Sequence, residues 1–93
     1  MVVGTVTLEF LISESHSLKT RRRVVNSLKE RIRGRFNVSV ADLGSQDVWQ
    51  RVVLGVAVVS NDGRFANEVL SKVVNLVAAD PRVEIVDQRF EFR

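Results

Sequence analysis

The chain carries one histidine, His16, and it stands between Ser15 and Ser17 in the stretch SHSLKTRRR, residues 15–23. A hydroxyl beside an imidazole is raw material for nucleophilic catalysis. A nucleophile, its base and the group that orients the base must meet in space, however, and adjacency along the chain does not achieve that. Ser17 has a plainer use. It directly precedes a helical apolar pattern, where its hydroxyl can accept a free N–H of the first turn. We read Ser17 as a cap and His16 as a loop residue. Aspartates and glutamates are scattered without metal-ligand spacing. There is no cysteine, hence no thiolate zinc site, cysteine nucleophile or disulfide. No Walker loop or GxGxxG is present. The expectation is a protein without catalytic residues, resident metal or cofactor.

The same stretch opens a run of cations: Lys19, Arg21, Arg22, Arg23, Lys29, Arg31 and Arg33, with Arg35 beyond and Glu30 as the one acid. On a helical wheel Lys19, Arg22, Arg23, Lys29 and Arg33 point away from the apolar stripe and form a solvent-facing basic ridge. Arg21 falls on the stripe itself, in the first turn, where its head can snorkel past the end of the core. A surface helix usually mixes signs for pairing three or four residues apart. Cations in the first turn also oppose the helix dipole, by about 0.3–1 kcal/mol each. A bound anion reverses the sign of that term, since free N–H groups and arginines then converge on it. This makes Lys19, Arg22, Arg23, Lys29 and Arg33 candidates for phosphate-backbone binding, and Ser17 with Arg21 a candidate anion site. A solvated charged face is the alternative.

The elements that must hold these residues follow from periodicity. Ninety-three residues, 45% apolar and with a formal charge of +3, make one domain, residues 1–93. Residues 2–12 alternate, with Val6, Leu8, Phe10 and Ile12 on one parity and Thr5, Thr7 and Glu9 on the other, as in a half-buried strand. They lack the basic flank of a signal peptide and the length of a membrane span, so a cytoplasmic protein with no membrane role is expected. Leu18, Val24, Val25, Leu28 and Ile32 line one face of a first helix, which Gly34 can end as a left-handed cap. Phe36, Val38 and Val40 predict a second strand, and residues 48–59 a third, apolar on both parities. A second helix starts at Asn61 or Asp62, presents Phe65, Ala66, Val69, Leu70, Val73, Leu76 and Val77, and stops at Asp80-Pro81. Residues 82–93 form a fourth strand whose parity shift predicts a bulge near Asp87.

The order β-α-β-β-α-β, with right-handed crossovers, gives an α+β ferredoxin-like sandwich: a four-stranded antiparallel sheet, first and third strands central, two helices on one face. Acylphosphatases share this topology, but their glycine-rich anion loop is not found here. RNA-recognition motifs share it too and stack bases on sheet aromatics; the third strand has no such aromatic pair, and the outer face of the first carries Thr5, Thr7 and Glu9. A basic helix that reads duplex or structured RNA by shape and phosphates remains.

On the third strand, Val52, Leu54, Val56 and Val58 are bulkier than the opposite set. If they face the helices, Val53, Ala57 and Val59 with Gly55 leave a small apolar strip on the open face, a candidate homodimer interface. Trp49 reads as a hairpin anchor or interface residue rather than a base-stacking platform.

The segments SHSLKTRRRVVNSL, RFNVSVAD and QDVWQRVVLGVAVVSND, with the basic helix, resemble the YlxP-like family of small bacterial proteins, over most of the chain from Val3 to about Leu76. The resemblance implies a ferredoxin-like fold and a bacterial cytoplasmic setting. Members are often encoded among genes for translation initiation and ribosome maturation factors, which implies a link to RNA or ribosome assembly. It carries no activity. Where the family commonly has an acid and a lysine, this chain has Thr20 and Arg21. Two readings stand: a non-catalytic module that binds structured RNA or a ribosomal particle through the basic helix, and a dimeric protein-interaction or small-anion-binding module in which the ridge only solubilises the domain.

Overall fold

The computed structural model describes residues 1–13, 17–43 and 51–93. Six elements follow in the expected order: β1 (Val2–Ile12), α1 (Leu18–Arg35), β2 (Ser39–Asp42), β3 (Arg51–Ser60), α2 (Gly63–Ala78) and β4 (Val83–Phe92). The strands form one antiparallel sheet in the order β2-β3-β1-β4, so the two most apolar strands are central.

Alternation decides which face is covered. Val6, Leu8, Phe10 and Ile12 of β1 and Val52, Leu54, Val56 and Val58 of β3 are buried. Their neighbours of opposite parity are half-buried or exposed. Both helices lie on the buried side. From α1 come Val24, Val25, Leu28 and Ile32, and from α2 Ala66, Leu70, Val73, Leu76 and Val77. Each fully buried Leu, Val or Phe contributes about 1.5–3 kcal/mol against its exposed state, so this layer is the main source of stability.

Two apolar residues expected in the core are outside it. Leu18 is 43% and Phe65 55% exposed. Both stand in the first turn of their helices, and the apolar stripe is taken over further along, by Arg21 and Ala66 respectively.

The predicted bulge is present. Glu9 pairs with Asp87 but Phe10 with Ile85, which leaves Val86 as the extra residue of β4. Asp62 caps α2, its Oδ1 accepting from the Arg64 backbone N–H at 2.9 Å. Regular pairing in β2 begins only at Ser39, because Phe36 is still the C-cap of α1 and donates its backbone N–H to the Ile32 carbonyl at 2.9 Å. The proposed roles of Ser15, His16, Val48 and Trp49 lie outside the described residues.

Gly34 departs from expectation. It lies within α1, whose cap is Phe36 in extended conformation, and it has no positive φ. A Cβ built on it meets nothing within 4 Å. A helical glycine in open space costs conformational entropy without compensation. Gly34→Ala is therefore expected to raise the unfolding free energy by about 0.5–1 kcal/mol, read by urea denaturation. A loss of stability would instead indicate the left-handed cap.

Candidate nucleic-acid interface

Helix α1 begins as its sequence dictates. The Ser17 hydroxyl accepts from the Thr20 backbone N–H at 3.2 Å and lies 3.2 Å from the Thr20 hydroxyl. The Arg21 N–H bonds the Ser17 carbonyl at 3.1 Å. No acid lies in the first turn, and Arg33 and Arg35 occupy the last.

Apart from Arg35, which is exposed in the last turn, the structure divides the cations of this helix into two sets. The first set fastens the helix to the rest of the domain. Arg21 is buried and forms a two-pronged pair with Asp42 at the end of β2, Nη1 to Oδ2 at 3.0 Å and Nη2 to Oδ1 at 3.4 Å. Arg33 donates to the Val40 backbone carbonyl at 3.1 Å. Arg31 donates to Asp80 at 3.2 Å. One expectation is thereby corrected: Arg21 does not snorkel to solvent. Its guanidinium carries the Asp42 carboxylate, and the Ser17 oxygen caps the helix. Arg33 remains exposed, but the carbonyl it serves draws it away from the ridge.

The second set is Lys19, Arg22, Arg23 and Lys29. Among the described residues none of these forms an ion pair or side-chain hydrogen bond. Lys19, Arg22 and Arg23 are exposed and Lys29 is half-buried. At the helical rise, Lys19 and Lys29 are separated by about 15 Å along the axis. Asn26 stands between the two ends of this row, and Glu30 is its one acid.

The residue that sequence reasoning missed is Asp80. It appeared there as a helix stop, yet its side chain is only 2% exposed and accepts from two arginines. Arg82 bonds it through Nε to Oδ1 at 3.0 Å, through Nη2 to Oδ2 at 2.7 Å, and through its own backbone N–H to Oδ1 at 2.9 Å. The Arg82 Nη2 also reaches the Ser27 hydroxyl of α1 at 3.3 Å. The side-chain hydrogen bond from Arg82 is the largest cause that brings the Asp80 pKa down to about 2; burial opposes it, and the Arg82 backbone N–H and the charges of Arg82 and Arg31 add to it. Asp80 raises the Arg82 pKa in turn. The Asp-Pro-Arg spacing holds a signal for the local pair. Nothing in the sequence marks Arg31, 49 residues away.

The open face of the sheet holds the other candidate surface. Val53 and Ala57 are half-buried there, and Val59 is 63% exposed. Leu43 leans over Gly55, where an added Cβ would come within 2.7 Å of its Cδ1. A shallow hollow of about 350 Å³ follows, lined by Thr5, Thr7, Ala41, Leu43, Gly55 and Ala57. The strip ends at the Arg51–Glu9 ion pair, 2.7 Å.

Two helices on one face of a four-stranded antiparallel sheet, with no helix among the described residues long and apolar enough to cross a membrane, define a ferredoxin-like α+β domain. Solved structures with this architecture include the structural-genomics protein YJCS (TM-score 0.61, 9% identity, 96% of each chain covered) and the de novo designed protein Foldit4 (TM-score 0.59, 15% identity, 98% of this chain and 97% of that one). SnoaB, a cofactor-independent oxygenase from Streptomyces nogalater, aligns with a TM-score of 0.53 at 11% identity, over 100% of this chain and 92% of that one. Likeness at these identities extends to the fold alone. The chain belongs to the family of proteins of unknown function DUF503, whose pattern matches residues 3–90. It is 32% identical to the uncharacterized protein YlxP of Bacillus subtilis (strain 168) over 91 residues, 98% of this chain and 99% of that relative.

Asp80 supplies a pH-dependent test of its cluster with Arg82, to which Arg31 of α1 adds a lesser share. Its folded pKa of about 2 lies below the ordinary 3.8. The resulting stabilisation, about 2 kcal/mol, is complete above the unfolded pKa and disappears as pH falls toward the folded one. Asp80→Asn should lose about that much stability at pH 7 in urea unfolding. Its disadvantage against the wild type should shrink between about pH 4 and pH 2.

Proposed function

We propose that this protein is a non-catalytic module that binds the phosphate backbone of structured RNA, free or within a ribosomal particle, through the outward side of α1. One observation carries the reading. The helix uses Arg21, Arg31 and Arg33 as internal fastenings, whereas Lys19, Arg22, Arg23 and Lys29 form an outward row without acidic partners among the described residues. A helix that needed charge only for solubility gains nothing from concentrating one sign in the turn where its dipole opposes it. Phosphates placed along the row would turn that repulsion into charge-assisted hydrogen bonds. The sheet offers no pair of exposed aromatics for base stacking on β1 or β3, which favours recognition by shape and backbone. The engagement of Arg21 by Asp42 and of Ser17 in helix capping weighs against the alternative small-anion function.

The triple variant Lys19→Glu, Arg22→Glu, Arg23→Glu tests this, since all three side chains are exposed and the circular dichroism should not change. About four phosphate contacts correspond to a slope of roughly −3 in log affinity against log salt. The variant should bind structured RNA at least about tenfold more weakly at 0.1 M salt and with a flatter slope. Equal affinity and equal slope would refute the reading.

A further inference from the structure

Strand β4 ends the sheet, and its outer edge is unpaired among the described residues. Arg93 and Val3 exchange both backbone hydrogen bonds, at 2.8 and 2.9 Å. With the register that follows, Asp87, Arg89, Glu91 and Arg93 direct their backbone groups toward β1. The N–H and C=O groups of Gln88, Phe90 and Phe92 therefore point to the free edge. A long edge with open backbone groups is a template for another strand unless something blocks it.

What decorates this edge is not a block of one sign. Along the open face of the sheet β4 presents Asp87, Arg89, Glu91 and Arg93, alternating in charge and all exposed. They are only loosely engaged within the strand, at 3.7 Å for Arg89 with Asp87 and 3.4 Å for Arg93 with Glu91. Two copies of β4 laid antiparallel about a two-fold axis, with Phe90 opposite Phe90, place Arg89 against Glu91 and Asp87 against Arg93, each pair occurring twice. The same register puts Phe90 against Phe90, and Gln88 against Phe92, at hydrogen-bonded positions. The charged residues then fall at the non-hydrogen-bonded positions, where opposed side chains come closest. Registers two residues away keep only one kind of ion pair. With Gln88 opposite Gln88, Glu91 meets Ile85 beyond the bulge; with Phe92 opposite Phe92, only Glu91 and Arg93 face each other. The bulge at Val86 ends the regular edge and so limits the seam to residues 87–93.

We propose that β4 is a homodimer interface: a second copy of this chain adds its β4 antiparallel across the edge, in the register centred on Phe90, and makes one eight-stranded sheet. This relocates the expected self-association from the strip of Val53, Ala57 and Val59 to the sheet edge. The occupant is identified by charge complementarity, because the sequence of signs on the edge is matched by its own reverse.

Sedimentation equilibrium of the full chain tests the proposal. The wild type should dimerise. Arg89→Glu puts like charges opposite each other twice in the dimer, and so does Glu91→Arg, so each alone should weaken dimerisation by at least about tenfold. The double variant Arg89→Glu, Glu91→Arg should recover the wild-type constant, and an equimolar mixture of the two single variants should form a heterodimer that neither forms alone. Recovery in the swap and in the mixture separates a broken interface from a broken fold. A wild type that is monomeric up to about 100 μM, or single variants that dimerise as well as the wild type, would overturn the proposal. So would a dimer that Val53→Asp dissociates and Arg89→Glu does not.

Discussion

Asp80 is a carboxylate that the fold buries without neutralising. An isolated charge in that position would be costly. Here the turn after α2 wraps the Arg82 backbone and side chain around it, and α1 contributes Arg31 from outside. Because Arg82 also reaches Ser27, the cluster joins α1 to the α2–β4 connection by directional bonds. Apolar packing fixes how deep a helix sits but leaves its rotation and axial position less defined. The Asp80 cluster, together with the Arg21 pair to Asp42 at the other flank, sets both for α1.

Rotation matters because α1 is basic nearly all round. The apolar stripe of Val24, Val25, Leu28 and Ile32 decides which side is buried but leaves cations on its flanks as well as opposite it. The flanking arginines refine the orientation. Three of them find acceptors inside the domain, and Lys19, Arg22, Arg23 and Lys29 are left as a row without such acceptors among the described residues. The stabilising contacts and the proposed RNA surface are thus two outcomes of one arrangement. In a dimer formed through β4, both helices lie on the same side of the extended sheet, so two such rows would face a single large partner.

The two edges of the sheet differ in the same physical terms. Among the described residues β2 is four residues long, and a short edge templates a partner poorly. The β4 edge is ten residues long and carries alternating signs. Opposite charges at that spacing repel a mismatched strand and attract a matched one.

Local chemistry made much of this legible in the sequence. Alternation along β1 and β3, the Ser17 and Asp62 caps, the apolar faces of the helices and the shift of parity in β4 are relations among residues no more than a few positions apart, so the sequence by itself determined the elements, their order and the sheet they form. It also located the surplus of cations on α1. What only the tertiary structure decided is which of those cations are free. Arg21 is 21 residues from Asp42 and Arg31 is 49 from Asp80; no periodicity reports such a pair, because it exists only once the chain has folded back. The same reason places Gly34 inside the helix and Leu18 outside the core: the stripe predicts which side of a helix is apolar, but where the layer beneath it ends is a property of the sheet.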